Sequence, residues 1–180
     1  MNETEFTHYL KKRLQDILPK KYIVQEFANL YYQLTINNKL ELEQNPKLPK
    51  RGSSAFQTDI LISEQKGNLL IPKVVIELKE KVSTHDVITY SSKAVRHKKV
   101  YPYLRYGLLA YEVSSIPKRF FIHNEGMDFF IAFKDFEKNN TKLLDLIKEQ
   151  IEYSDRLEKN IFDRNKFDFY SQIPLFKKLD

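Results

Sequence analysis

The chain has 180 residues, 42% hydrophobic and 13% aromatic, with 30 Lys and Arg against 24 Asp and Glu and no cysteine. This composition excludes intrinsic disorder, disulfide staples and thiolate metal sites, and it is large enough for one domain, residues 1–180, with a core of its own. No apolar run reaches bilayer length and the start, MNETEFTHYLKKRL, has no hydrophobic leader core, so a soluble cytoplasmic protein without membrane contact is expected.

The net charge of +6 is unevenly placed. From Lys134 to Asp180 ten basic residues balance ten acidic ones, whereas from Lys81 to Arg105 six Lys and Arg face the single Asp86. A localised excess of this kind suits a polyanion-binding face, and equally a plain solvated helix.

In chain order, residues 3–18 predict a helix, with Phe6, Leu10, Leu14, Ile17 and Leu18 on one stripe, Asn2 and Glu5 at capping-box spacing and Pro19 as the stop. Tyr22 to Leu34 is β-branched and aromatic and predicts a strand. Asn37 to Ser54 has no sustained period, holds two prolines and the basic cluster Lys47, Lys50 and Arg51, and reads as a loop or mobile excursion. Two apolar runs follow, FQTDILI and LLIPKVVIELK, joined by a turn around Lys66, Gly67 and Asn68. Ser83 and Asp86 then open a second helix. Val87, Tyr90, Ala94 and Tyr101 are placed on one side of it, Thr89, Lys93, Arg96 and His97 on the other, and Pro102 marks its end. Tyr106 to Val113 predicts a buried strand. Arg119–His123 and Asp128–Phe133 predict a hairpin around Asn124, Glu125 and Gly126. A third helix runs from Thr141 through Leu144, Ile147 and Ile151, and a Phe- and Tyr-rich tail from Ile161 to Leu179 is expected to pack on something. The order of elements implies an α/β fold, a mixed sheet flanked by helices, with an additional hairpin and a C-terminal helix.

The chemistry gathers on the paired apolar runs. Asp59 lies inside the first, beside Ile60, Leu61 and Ile62, and an acid there needs a partner or a metal because burying it bare is costly. Glu77 and Lys79 end the second, two residues apart and hence on one face, while Val74, Ile76 and Leu78 project from the other. Two carboxylates can hold a hard divalent cation, with the Leu78 carbonyl completing the shell, and Lys79 can position water or neutralise a phosphate as charge develops. A strand ending in Glu-x-Lys can also be a plain same-face ion pair. The interior Asp59 is what favours the metal reading.

Thr58-Asp59, a hairpin and then Glu77-Leu78-Lys79, with a helix before and a helix and strand after, resemble the PD-(D/E)XK nuclease superfamily over residues 3–113. Thr58 stands where the family name has proline. The resemblance implies the restriction-endonuclease-like fold, Asp59 and Glu77 as ligands of Mg2+ (or Mn2+ in its place), and Lys79 as the catalytic lysine. It implies a further acid, Glu26 in the preceding strand being favoured over Glu5 in the first helix, and Lys93 at the scissile phosphate. Lys47, Lys50, Arg51, Lys93, Arg96 and His97 are the candidate nucleic-acid contacts, and Gln57 a candidate for water or phosphate. The expected activity is Mg2+-dependent cleavage of double-stranded DNA by a homodimeric type II restriction endonuclease. A structure-specific repair or recombination nuclease and a non-catalytic nucleic-acid-binding module are the alternatives.

Overall fold

In the computed structural model the first turn of the chain is set by a reciprocal cap. The Asn2 side chain accepts from the Glu5 N–H and the Glu5 carboxylate from the Asn2 N–H, and α1 runs from Glu3 to Ile17. The structure describes residues 2–52, 54–134, 140–163, 168, 170–172 and 177. Beyond α1 come β1 (Tyr22–Tyr31), β2 (Ala55–Lys66), β3 (Leu69–Lys79), α2 (Thr84–Val100), β4 (Arg105–Tyr111), α3 (Lys118–His123), β5 (Phe129–Phe133) and α4 (Asn140–Phe162).

The strands form one sheet in the order β1-β2-β3-β4-β5. β1 to β3 pair antiparallel, and β4 and β5 add in parallel, each after a helical crossover. The two faces are apolar and each is covered by helices. Phe6, Leu10 and Leu14 of α1 and Leu143, Ile147 and Ile151 of α4 pack on Ile60, Ile62, Val74, Ile76 and Leu78. Val87, Tyr90 and Ala94 of α2 and Phe120 of α3 pack on Leu61, Val75, Tyr106 and Leu108. The expected mixed sheet between helices is therefore present.

Two strands depart from regular geometry. Phe27 takes φ +53°, and after it β1 changes face: Val24 lies in the α1–α4 core, while Leu30, an even number of residues on, lies in the α2–α3 core. A regular strand would keep both on one side. The kink turns the end of β1 towards α2. In β3 the register with β2 shifts between Ile62 and Ser63, so that Val74 and Pro72 are paired and Lys73 is the extra residue of a bulge. Pro72 is tolerated there because β4 begins to pair only at Val74.

The structure corrects several expectations. β1 ends at Tyr31, three residues before Leu34; the Tyr32 N–H makes one more bond in the same register, to the Ser54 carbonyl, and the loop begins there. That loop carries its own fastenings, an Ile36–Leu42 bridge and a bond from the Thr35 N–H to the Gln44 side chain. The hairpin at Arg119–Phe133 is absent. Residues 118–123 form α3 instead, and Phe120 turns into the core against Phe130 with ring centroids 4.9 Å apart. A short apolar run fits a buried helical turn as well as a strand. Ser91 of α2 accepts the N–H groups of Glu125 and Gly126, which fastens the expected hairpin turn to the helix. β5 then pairs in parallel with β4, which is buried from Tyr106 to Tyr111. The aromatic tail falls largely outside the described residues.

Candidate active site

The paired residues of β2 and β3 start at Ile60 and Ile76, both on the α1–α4 face, so Asp59 and Glu77 turn to the α2 side. Just beyond that pair the Asp59 carboxylate substitutes for a ladder partner, with Oδ2 accepting the Leu78 N–H at 2.8 Å. Leu78 itself sends its side chain into the α1–α4 core and presents only backbone to the site.

Glu77 is 2% exposed. Its Oε1 accepts a hydrogen bond from the Tyr106 hydroxyl of β4 and lies 3.6 Å from Lys93 Nζ of α2. Burial and the adjacent Asp59 charge push its carboxyl up to about 7, against the opposing pull of Lys93 and Tyr106. The two acids thus sit close enough for the Asp59 charge to act on buried Glu77, the electrostatic situation that a shared cation relieves.

Lys79 Nζ binds both oxygens of Glu3, at 2.9 and 3.1 Å. Burial alone would lower its affinity for protons, but the Glu3 bond and the charges of Glu3, Asp59 and Asp86 raise it, so Lys79 is an ammonium. Tyr90 of α2 lies beneath both lysines, its ring 6.0 Å from Lys79 Nζ and 5.0 Å from Lys93 Nζ. Burial, then Glu77, Asp59, Glu3 and Asp86, push its hydroxyl strongly upward, so it stays neutral. The constellation is two carboxylates flanked by two ammonium groups over an aromatic floor.

The structure brings Asp59, Glu77, Lys79 and Lys93 together, and leaves Glu26 elsewhere. On β1 Glu26 is paired with Ile60 and so lies on the opposite face from Asp59, where its carboxylate is bonded to His8 Nδ1 of α1 at 2.6 Å. Glu5 is held in the α1 cap. The acid that α1 does contribute is Glu3, which is not among the residues expected from the sequence. A signal for it is present: Glu3, Phe6, Leu10 and Leu14 continue one stripe, so the first turn aims Glu3 along the buried side. Tyr106 is equally unexpected, as a tyrosine inside an apolar strand reads as core. Gln57 is exposed and donates to the Phe27 carbonyl at 3.0 Å. Lys47, Lys50 and Arg51 lie on the loop after β1 and are exposed there; Arg96 on α2 is exposed as well.

His97 is the clear correction among the nucleic-acid contacts, being fully buried. Its Nδ1 faces the Tyr31 carbonyl at 2.9 Å, and its ring stacks on Tyr106 at 5.6 Å and 19°. It sits three residues after Ala94 and seven after Tyr90, which places it on the apolar stripe of α2. Burial lowers its pKa to about 4, with the Tyr31 bond opposing and the Lys93 charge assisting. A depressed histidine contributes stability that is complete above its ordinary 6.5 and is lost as pH falls towards 4. The loss between these limits is about 3 kcal/mol. Urea unfolding of the wild type and of His97→Leu between pH 7.5 and 4 measures it: the gap between them should shrink as the wild type loses stability, and a constant gap would refute a buried neutral His97.

A second acidic group lies at the far end of the sheet. Glu64, Asp155 and Glu158 bring one oxygen each within 4.8 Å of one another, a spacing that could hold a metal ion. The Lys73 ammonium, fully buried, already stands among them, 3.3 Å from Glu64, 2.7 Å from Asp155 and bonded to Glu158, with Lys21 and Lys66 at the rim. The group is a neutralised ion network.

Among the described residues no helix is long and apolar enough to cross a membrane. Neither a protein-family model nor a curated protein matches the chain.

Proposed function

We propose that the protein is a Mg2+-dependent endonuclease acting on double-stranded DNA, with the restriction-endonuclease-like core and, by its compact size, a type II restriction role. The observation that carries this reading is the juxtaposition of buried Glu77 with half-buried Asp59, a mutually repelling pair of acids, with Lys79 and Lys93 on their flanks. The donor set is all oxygen, which suits a hard cation. Asp59, Glu77 and the Leu78 carbonyl would hold it, and Glu77 Oε1 is already steadied by Tyr106 and Lys93. The bound ion would supply a more acidic water and a counter-charge for the phosphoryl oxygens.

The protein's own groups do the rest. Lys79, kept protonated and in place by Glu3, donates to the attacking water or to a phosphate oxygen as negative charge grows. Lys93 neutralises the phosphate from the other side, and the Tyr90 ring beneath both lysines keeps the site poor in water, where such contacts are strongest. Cutting both strands with one such site per chain calls for two chains related by a two-fold axis.

Incubation of the purified protein with supercoiled plasmid tests the reading. Discrete, reproducible fragments that require Mg2+ (or Mn2+) and vanish with chelator are expected. Cleavage confined to branched substrates would move the activity to a structure-specific nuclease. Intact plasmid and intact junctions at all metal concentrations would overturn the nuclease reading.

A further inference from the structure

We infer that Lys93 and Arg96 form a clamp for two neighbouring phosphates of one nucleic-acid strand, and that Tyr32 and Phe56 are the platform that fixes the two cations in place. The inference rests on the nuclease reading and specifies how that site would hold its polyanion.

The geometry begins with the kink at Phe27, which brings the end of β1 beneath α2. There Tyr32 stacks on Phe56 of β2, with ring centroids 4.0 Å apart and an interplanar angle of 18°. Each ring carries one cation from α2: Lys93 Nζ is 5.6 Å from the Phe56 centroid, and Arg96 Cζ is 5.8 Å from the Tyr32 centroid. Buried His97 supports both rings edge-on from below. A ring face restrains a cation without neutralising it. Lys93 and Arg96 are three residues apart, hence neighbours on one helix face about 5–6 Å apart at Cβ. Their order leads away from Glu77, with Lys93 next to the acid and Arg96 one turn further on.

Among the described residues, what separates these two from the other cations that lie over aromatic rings is the lack of a close anion. Lys79 is bonded to Glu3, Lys98 and Arg105 to Asp128, and Lys73 to three carboxylates. Among the described residues Arg96 has no carboxylate partner, and Lys93 has only the 3.6 Å approach to Glu77. Two ring-restrained cations with little counter-charge, Lys93 partly exposed and Arg96 exposed, are arranged for anions arriving from outside. The basic loop leaves from the same place, because Tyr32 is tied to Ser54 and the Tyr31 hydroxyl reaches the Leu48 carbonyl at 3.3 Å. The loop that carries the exposed Lys47, Lys50 and Arg51 is thus fastened to the strand end that bears the platform.

The test is metal-free binding of a fluorescent duplex to the full chain, measured by anisotropy over a range of KCl. Arg96→Gln should weaken binding several-fold at low salt and reduce the slope of log affinity against log salt by about 0.9, one phosphate contact. Tyr32→Leu keeps the charge and should also lower affinity. Adding Arg96→Gln to Tyr32→Leu should cost less than Arg96→Gln alone, because the platform acts through the cation. Lys12→Gln on α1 serves as the charge control and should leave the slope unchanged. A folded Arg96→Gln protein with the wild-type slope, or fully additive losses for the pair, would overturn the clamp while plasmid cleavage by the wild type left the nuclease reading standing. Wild-type protein that neither binds duplex nor cuts plasmid would overturn both.

Discussion

Lys79→Ala is expected to lower Mg2+-dependent plasmid cleavage by about a thousandfold, while metal-free duplex binding changes only a few-fold. The size of the effect comes from position. Lys79 is an ammonium held against the Glu3 carboxylate at the end of β3, two residues from Glu77 and on the same face. A positive charge fixed in this setting meets developing negative charge without reorganising first, and truncation removes it outright. Binding is spared because it depends on many phosphate contacts across the surface, of which Lys79 is at most one. Glu3→Gln provides an internal comparison. It keeps a hydrogen-bond acceptor for Lys79 but removes the charge, so its loss of rate should be much smaller than that of Lys79→Ala. For the other flank Asp59→Asn is more informative than alanine, since the amide oxygen can still accept the Leu78 N–H and the strand end stays in place. Undiminished cleavage by Lys79→Ala would put the chemistry elsewhere in the molecule.

The largest effect on stability is expected from Lys73→Met, at the other end of β3. The methionine matches the length of the lysine stem but leaves Glu64, Asp155 and Glu158 facing one another in a partly buried group. Removing one partner from a buried ionic network costs about 3–5 kcal/mol. For a protein of this size that corresponds to a fall in Tm of about 10 °C. The pH dependence supplies the check. Burial pushes the Glu64 carboxyl up, but the Lys21 bond and the charges of Lys73 and Lys21 outweigh it and bring it down to about 2. A depressed carboxyl contributes stability that is complete above its ordinary 4.5 and is lost as pH falls towards 2. The gap between wild type and Lys73→Met should therefore be full at neutral pH and narrow below pH 4.5. Equal urea midpoints at pH 7 would show that the network contributes nothing.

What the amino-acid sequence makes legible is mostly local. Asn2 with Glu5 and Ser83 with Asp86 mark helix starts because a capping box needs only neighbouring residues, and both boxes are formed. The β2–β3 pair is legible from two apolar runs and Gly67, whose φ of +60° is the conformation that favours glycine in a tight turn. The meeting of Asp59 with Glu77 comes with that pair. Where the pattern misleads, the deciding contact is remote. Glu3 and Lys79 are 76 residues apart in sequence, and so are invisible to spacing. His97 looks polar on a helical wheel because its residue type outweighs its position, yet Tyr31 of a distant strand supplies the acceptor that lets it be buried. The segment at Phe120 and Phe121 fits a helix or a strand equally until Ser91 fastens the turn after it.

The strand order has a consequence for synthesis. Because β1 to β5 lie side by side in the order they leave the ribosome, each strand can dock on its predecessor as it emerges. All the residues grouped around Glu77, from Glu3 to Tyr106, are made before α4 begins at Asn140. The half that carries the acidic pair can thus assemble early, while the apolar face of Ile60, Ile62, Val74 and Ile76 still lacks Leu143, Ile147 and Ile151 as cover. Transiently exposed apolar surface of this kind favours aggregation, and α4 covers it in the finished fold, where Asp155 and Glu158 meet Lys73.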